Sequence, residues 1–145
     1  EDSQHLLDWY SLSHIVYGFT LYFFMWLARK KFPWFSLGMA FCLVLAISAG
    51  WEMFENTQFA VRHFQDNTIS YVYRGDSIVN SVVDTAAIAL GFWLAFSLPV
   101  WAVIFIALIF ELMMAVNVRD GSVLGIIMFF HPFPPLLKWQ AALSP

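Results

Sequence analysis

Charge is what this sequence has least of. Asp, Glu, Lys and Arg make up 12% of its 145 residues, against about 25% in a typical soluble domain. With 61% hydrophobic residues and a mean hydropathy of +0.70, too little polar surface remains to cover a water-soluble globule. Lipid is therefore the expected solvent. The basic residues number 7 and lie scattered, which excludes a nucleic-acid partner. A single cysteine, Cys42 in an apolar run, excludes an intrachain disulfide and reads as a small packing residue. There is no Gly-x-Ser-x-Gly elbow, no His-Glu-x-x-His and no phosphate-cradling glycine loop, so the hydrolase and nucleotide classes those motifs define are not indicated. Repeats, low-complexity tracts and a signal peptide are missing too. The chain begins at Glu1 rather than at methionine, so residues upstream of it are expected.

What the sequence has in quantity is long apolar runs. A helix needs about 20 apolar residues to cross a bilayer. Four segments approach that length, roughly Trp9–Ala28, Phe35–Phe54, Ser77–Ser97 and Val100–Val118. Arg29, Lys30 and Lys31 end the first. Asp76 reads as an N-cap for the third, and Pro99 separates it from the fourth. A shorter run over residues 123–131 is stopped by Pro132, Pro134 and Pro135, and is read as re-entrant or interfacial. The expected fold is all-α: one polytopic transmembrane helix bundle over residues 1–145, with four spanning helices and that C-terminal segment.

Charge sets the orientation. The Arg29-Lys30-Lys31 loop holds three positive charges, and the Ser97–Trp101 turn holds none. The positive-inside rule makes both cytoplasmic, against the lone Lys138 of the tail. The N-terminus, the Asn56–Gly75 loop and the tail then lie outside. This topology gathers residues distant in sequence into one leaflet: Ser13 and His14; Glu52, Glu55 and Asn56; Asp76, Asn80, Ser81 and Asp84; Asn117, Arg119 and Asp120.

Periodicity then assigns faces. Asp76, Asn80 and Asp84 recur every four residues, followed on the same face by Ala87, Gly91 and Ala95. Small residues let membrane helices approach closely, so this stripe should face protein. Ser48, Glu52, Glu55 and Asn56 share a face of the second helix, and Tyr10, His14, Tyr17, Gly18 and Leu21 share one of the first. A charge at the bilayer centre costs roughly 2.5–3.5 kcal/mol. Converging carboxylates must therefore share protons, pair with Arg62, Arg74 or Arg119, or hold a cation. Glu52, Asp76, Asn80 and Asp84 offer oxygen ligands suited to Ca²⁺ or Mg²⁺, with His14 leaving Zn²⁺ open.

Plainer readings stand beside this one. Asp76 can simply cap its helix while Asn80 and Asp84 bond to neighbouring helices. Glu55 can reach interfacial water, and His14 can be a hydrogen-bonded interior histidine or a proton relay. Glu111, deeper in the fourth helix, either pairs or stays protonated. Arg119 and Asp120 read as a helix-end pair, with Arg119 also able to hold a phosphate. The aromatics, 19% of the chain, read as lipid-facing and interfacial belt residues.

Ser-His-x-x-x-Gly at Ser13–Gly18, Trp-Glu-x-x-Glu-Asn at Trp51–Asn56, Gly-Asp-Ser-x-x-Asn-Ser-x-x-Asp at Gly75–Asp84, Arg-Asp at Arg119–Asp120 and His-Pro at His131–Pro132 together resemble an uncharacterised inner-membrane family of alphaproteobacterial type. The resemblance covers nearly the whole chain. It implies a bacterial inner membrane; the orientation read from the basic residues then puts the polar site and the N-terminus on the periplasmic side. It also implies a further apolar segment before the stretch matched here by Ser3–His5. More distantly, the Glu followed by an Asp-x-x-x-Asn-x-x-x-Asp helix start resembles VanZ-like membrane proteins, associated with glycopeptide resistance and the cell envelope. Three functions follow as expectations. The first is a divalent-cation site holding the head group of an envelope lipid. The second is a non-catalytic subunit of a larger membrane complex or homo-oligomer. The third is proton or cation transport, for which four helices without a repeat are poorly suited.

Overall fold

In the computed structural model, residues 9–68 and 73–142 are described; the Ser3–His5 stretch lies outside them. The described residues form seven helices and no strand. Four are long and apolar enough to cross a bilayer: α1 (Tyr10–Lys31), α2 (Leu37–Glu55), α4 (Ile78–Ser97) and α5 (Val100–Asn117). The chain is an all-helical integral membrane protein. α3 (Gln58–Asn67), α6 (Ser122–Phe130) and α7 (Pro134–Ala141) are too short to span.

The helix ends show where local chemistry departs from the apolar pattern. Arg29, Lys30 and Lys31 do not end α1 but form its last turn, where cations complement the carbonyl end of the helix dipole. Lys30 Nζ lies 3.7 Å from the centroid of the Trp26 ring. α1 stops at Phe32, whose extended backbone suits a residue before proline. Ser36 caps α2, its hydroxyl accepting from Met39 N at 3.1 Å. The cap of α4 is Ser77, not Asp76: the Ser77 hydroxyl accepts from Asn80 N at 3.2 Å. Asp76 therefore precedes the helix and leaves the stripe that Asn80 and Asp84 continue. The Asn56–Gly75 connection, expected as a loop, contains α3, which Thr57 caps. In the tail, Pro134 and Pro135 open α7 instead of only stopping the preceding run, because proline fits the first helical turn.

α1, α2 and α4 make the bundle, with α1 against α4 as its main contact. Gly18 and Gly91 permit that contact, since a Cβ on either would meet the other helix's backbone. Buried positions recur every four residues on α2 and α4. On α2 they run Ala40, Val44, Ser48, Glu52, and on α4 Asn80, Asp84, Ile88, Phe92. Matching layers result. Ala40, Val44, Ile88 and Phe92 form the apolar core toward the end bearing Lys30 and Lys31, and Tyr22 packs edge-on to Phe92 at 5.1 Å. The Ser48 hydroxyl donates to Thr85 Oγ1 at 3.1 Å one layer up. Above it lies a polar layer. α5 packs against α1 near its C-terminal end, where Met114 is buried, while α6 lies against α1 and α3.

Candidate functional site

The polar layer is built by three helices, each contributing one side chain. His14 from α1, Glu52 from α2 and Asp84 from α4 are 7%, 5% and 3% exposed. His14 Nε2 stands 3.7 Å from Glu52 Oε1, and His14 Nδ1 stands 3.5 Å from Asp84 Oδ1. Nδ1 also lies 2.9 Å from the Tyr10 carbonyl oxygen. A carbonyl can only accept, so Nδ1 carries the proton in that bond, and a neutral ring then presents its lone pair at Nε2. Asp84 is well supported, with Asn80 Nδ2 donating to Oδ2 at 2.8 Å and the Ser11 hydroxyl donating to Oδ1 at 3.3 Å. Glu52 is not. Ser81 stands near it, yet neither carboxylate oxygen receives a hydrogen bond of acceptable geometry, and His14 Nε2 is equally unpartnered. Buried polar atoms without partners are rare because each forfeits its solvation. Three of them converge here.

A second group adjoins the first. Glu52, Glu55 and Asp76 each offer a carboxylate oxygen, all within 4.8 Å of one another, as do the ligand atoms of His14, Glu52 and Asp84. Glu52 belongs to both groups. Asp76 arrives from the extended stretch before α4, and its position there is fastened twice. Its backbone N–H donates to Asn56 Oδ1 at 2.6 Å, and the Tyr73 hydroxyl donates to its Oδ2 at 2.9 Å. Gly75 makes the crossing feasible: its φ of +91° suits glycine, and a Cβ there would lie 2.7 Å from Asn56 Oδ1. Burial, with the charges of Glu55 and Asp76 beside it, pushes the Tyr73 hydroxyl above its ordinary range, so it stays a hydrogen-bond donor.

The nine residues singled out from sequence therefore separate by role. His14, Glu52, Glu55, Asp76 and Asp84 point their ligand atoms together. Asn80 orients Asp84. Asn56 is a clamp, its Nδ2 donating to the Glu52 carbonyl at 2.8 Å while its Oδ1 holds Asp76. Arg119 and Asp120 do not form the expected helix-end pair. At φ 51°, Arg119 turns to the tail, where Nη1 donates to the Trp139 carbonyl at 2.6 Å and the guanidinium lies over that indole ring. Asp120 turns inward and accepts from Tyr10 Oη at 3.2 Å, Gly121 N at 2.9 Å and Gln140 Nε2 at 3.4 Å. Burial, reinforced by Glu111, holds its carboxyl above the ordinary range, while the Gly121 and Tyr10 hydrogen bonds pull it back.

Residues outside those nine add further polar contacts. Glu111 finds its polar partner at the start of α6, where its Oε1 accepts from Ser122 N at 3.1 Å. Tyr17 joins the two regions, edge-on to His14 at 5.7 Å and donating through its hydroxyl to the Ser122 carbonyl at 3.3 Å. His63 in α3 latches α6 through the Phe129 carbonyl at 2.7 Å. Ser11 was detectable, since it sits three residues before His14 on one helical face. Glu111 was expected to pair or stay protonated and does pair, but its partner and that of His63 could not be read from sequence, because both are backbone groups of another helix.

The geometry defines a class: a polytopic helical membrane protein with a buried carboxylate–imidazole cluster near one end of its bundle. The chain belongs to a bacterial family described as "Protein of unknown function (DUF2585)", which matches residues 1–142. A UPF0314 protein of Brucella anthropi is 43% identical over 143 residues, covering 99% of this chain and 71% of its own length. Similar proteins of the same description occur in Agrobacterium fabrum, 40% identical over 98% of this chain and 70% of that one, and in Paracoccus denitrificans, 39% identical over 99% and 72%. No solved structure matches.

Proposed function

We propose that this protein binds a divalent cation between His14, Glu52 and Asp84, on the periplasmic side of a bacterial inner membrane, and uses it to hold the phosphate head group of an envelope lipid. One observation carries the reading: His14 Nε2 and both oxygens of Glu52 are buried, adjacent and without hydrogen-bond partners. A cation supplies the partner that all three lack. Imidazole nitrogen with carboxylate oxygens suits Mn²⁺, Fe²⁺ or Zn²⁺ better than Ca²⁺ or Mg²⁺. The chemistry such an ion supplies is Lewis-acid polarisation of a phosphoryl oxygen, the basis of metal-assisted hydrolysis or transfer. A lipid is the favoured ligand because the helices around the cluster turn apolar faces outward, with Trp51, Met53 and Val82 exposed beside it. The basic last turn of α1 supports a cytoplasmic position for the opposite end, and the VanZ-like resemblance fits an envelope role.

Two rival readings differ in what they require. Transport needs a route through the bundle, and Val44, Ile88 and Phe92 pack tightly beneath the cluster. A role as a subunit is favoured by α5, whose spanning window is only 6% buried in this chain. Native mass spectrometry of the protein, gently extracted from its own membrane, separates the readings. Bound metal and lipid mass that disappear together in Glu52→Gln support the proposal. A large assembly with other subunits, indifferent to chelator and carrying no metal, would sink it and leave the subunit reading.

A further inference from the structure

Resting on that cation reading, we infer that the site is dinuclear, with Glu52 bridging two divalent cations: one held with His14 and Asp84, the other with Glu55 and Asp76. The two triads share Glu52 and no other residue. A carboxylate has two oxygens and can give one to each of two ions, and carboxylate-bridged ions in two-metal sites sit about 3.5–4 Å apart. Glu52 is free to do so. It is buried, and neither of its oxygens is committed to a protein donor, whereas Asp84 already accepts from Asn80 and Ser11.

Charge points the same way. Four carboxylates meet here: Glu52, Glu55, Asp76 and Asp84. His14 lies within ion-pair distance of two of them, Glu52 and Asp84. Uncompensated charge is expensive in such a medium, so each carboxylate must share a proton or meet a cation. Two divalent ions offset four ionised carboxylates without any of them having to be protonated, and the Nδ1 bond to Tyr10 leaves His14 Nε2 as the ring atom turned toward Glu52. The two positions also differ chemically. The inner one, with His14, has a nitrogen donor, while the outer one is all oxygen. The outer one takes Asp76 from the segment that Asn56 fastens to the end of α2.

The test uses Mn²⁺, which accepts both donor sets. Full-length protein in lipid nanodiscs is stripped with chelator, equilibrated with Mn²⁺, desalted, and read by elemental analysis and electron paramagnetic resonance. The expected result is two Mn²⁺ per chain with the spectrum of an exchange-coupled pair. In Glu55→Gln the content should fall to one, with the six-line spectrum of an isolated ion. One Mn²⁺ per chain in the wild type, unchanged in Glu55→Gln, overturns the dinuclear inference and leaves the single-cation reading standing. Two uncoupled ions overturn the bridge, and no Mn²⁺ overturns both. Should Glu55→Gln fail to fold, the wild-type stoichiometry and spectrum decide alone.

Discussion

Gly18 and Gly91 meet across the α1–α4 contact so closely that a Cβ on Gly18 would strike the Ile88 carbonyl, and one on Gly91 the Ile15 carbonyl. This approach lets α1 carry His14 to within ion-pair distance of Glu52 and Asp84. Gly91→Ala should therefore destabilise the fold by about 1–3 kcal/mol, the usual cost of overpacking. Gly50→Ala is the control, because nothing lies within 4 Å of the added methyl. Helix propensity alone should then raise stability by roughly 0.5–1 kcal/mol. Unfolding curves of both variants in mixed micelles check the pair; equal effects would refute the close-contact account.

Asn56 fastens the stretch before α4 to the end of α2. In Asn56→Ala the Asp76 amide loses its acceptor, and its hydrogen exchange should quicken roughly five- to tenfold, as loss of one hydrogen bond implies. Amides in the middle of α4 should not change. Unaltered exchange at Asp76 would mean that the clamp contributes nothing to holding that stretch in place.

Glu111 caps α6 from a neighbouring helix. Removing that acceptor in Glu111→Ala leaves the Ser122 N–H without it and should cost about 0.5–2 kcal/mol, the range for lost helix caps. Faster exchange over the first turn of α6, with α2 unaffected, is the expected signature.

Asp120 predicts a dependence on pH. Its folded pKa lies above the ordinary 3.8 because burial penalises the carboxylate. Its protonated form is therefore favoured in the folded state. That contribution is fully present below the unfolded value and is lost as pH rises through the folded one. Wild-type stability should fall over that rise relative to Asp120→Asn, and the two curves should run parallel at lower pH. Unfolding of both across mildly acid to neutral pH measures this, and a gap that widens toward acid instead would reverse the sign.

The fold was largely legible because hydropathy and helical spacing are local properties. The four spans, their order and the protein-facing stripe Asn80–Asp84–Ala87–Gly91 all follow from residues near one another in the chain. The ends were less legible. Ser77 replaced Asp76 as cap because both precede an apolar run, and only backbone direction decides which oxygen meets the free N–H groups. α3 was missed because its composition is mixed, and Thr57 and its contact with α6 stabilise it. At the candidate site, topology gathered the acids at one end but could not rank them. Asn56 and Asn80 proved to hold other groups, and Arg119 and Asp120 belong to the tail contact.

By itself, the sequence determined that this chain resides in lipid, how many times it can cross, and which residues gather at one end. Those properties depend on composition and on a period of 3.6 residues. Only the tertiary structure decided that Glu52 stands between two triads with both oxygens unpartnered. That depends on how closely α1 approaches α4 and on where a short extended stretch sets Asp76. Both are contacts between residues far apart in the chain, which no local pattern encodes.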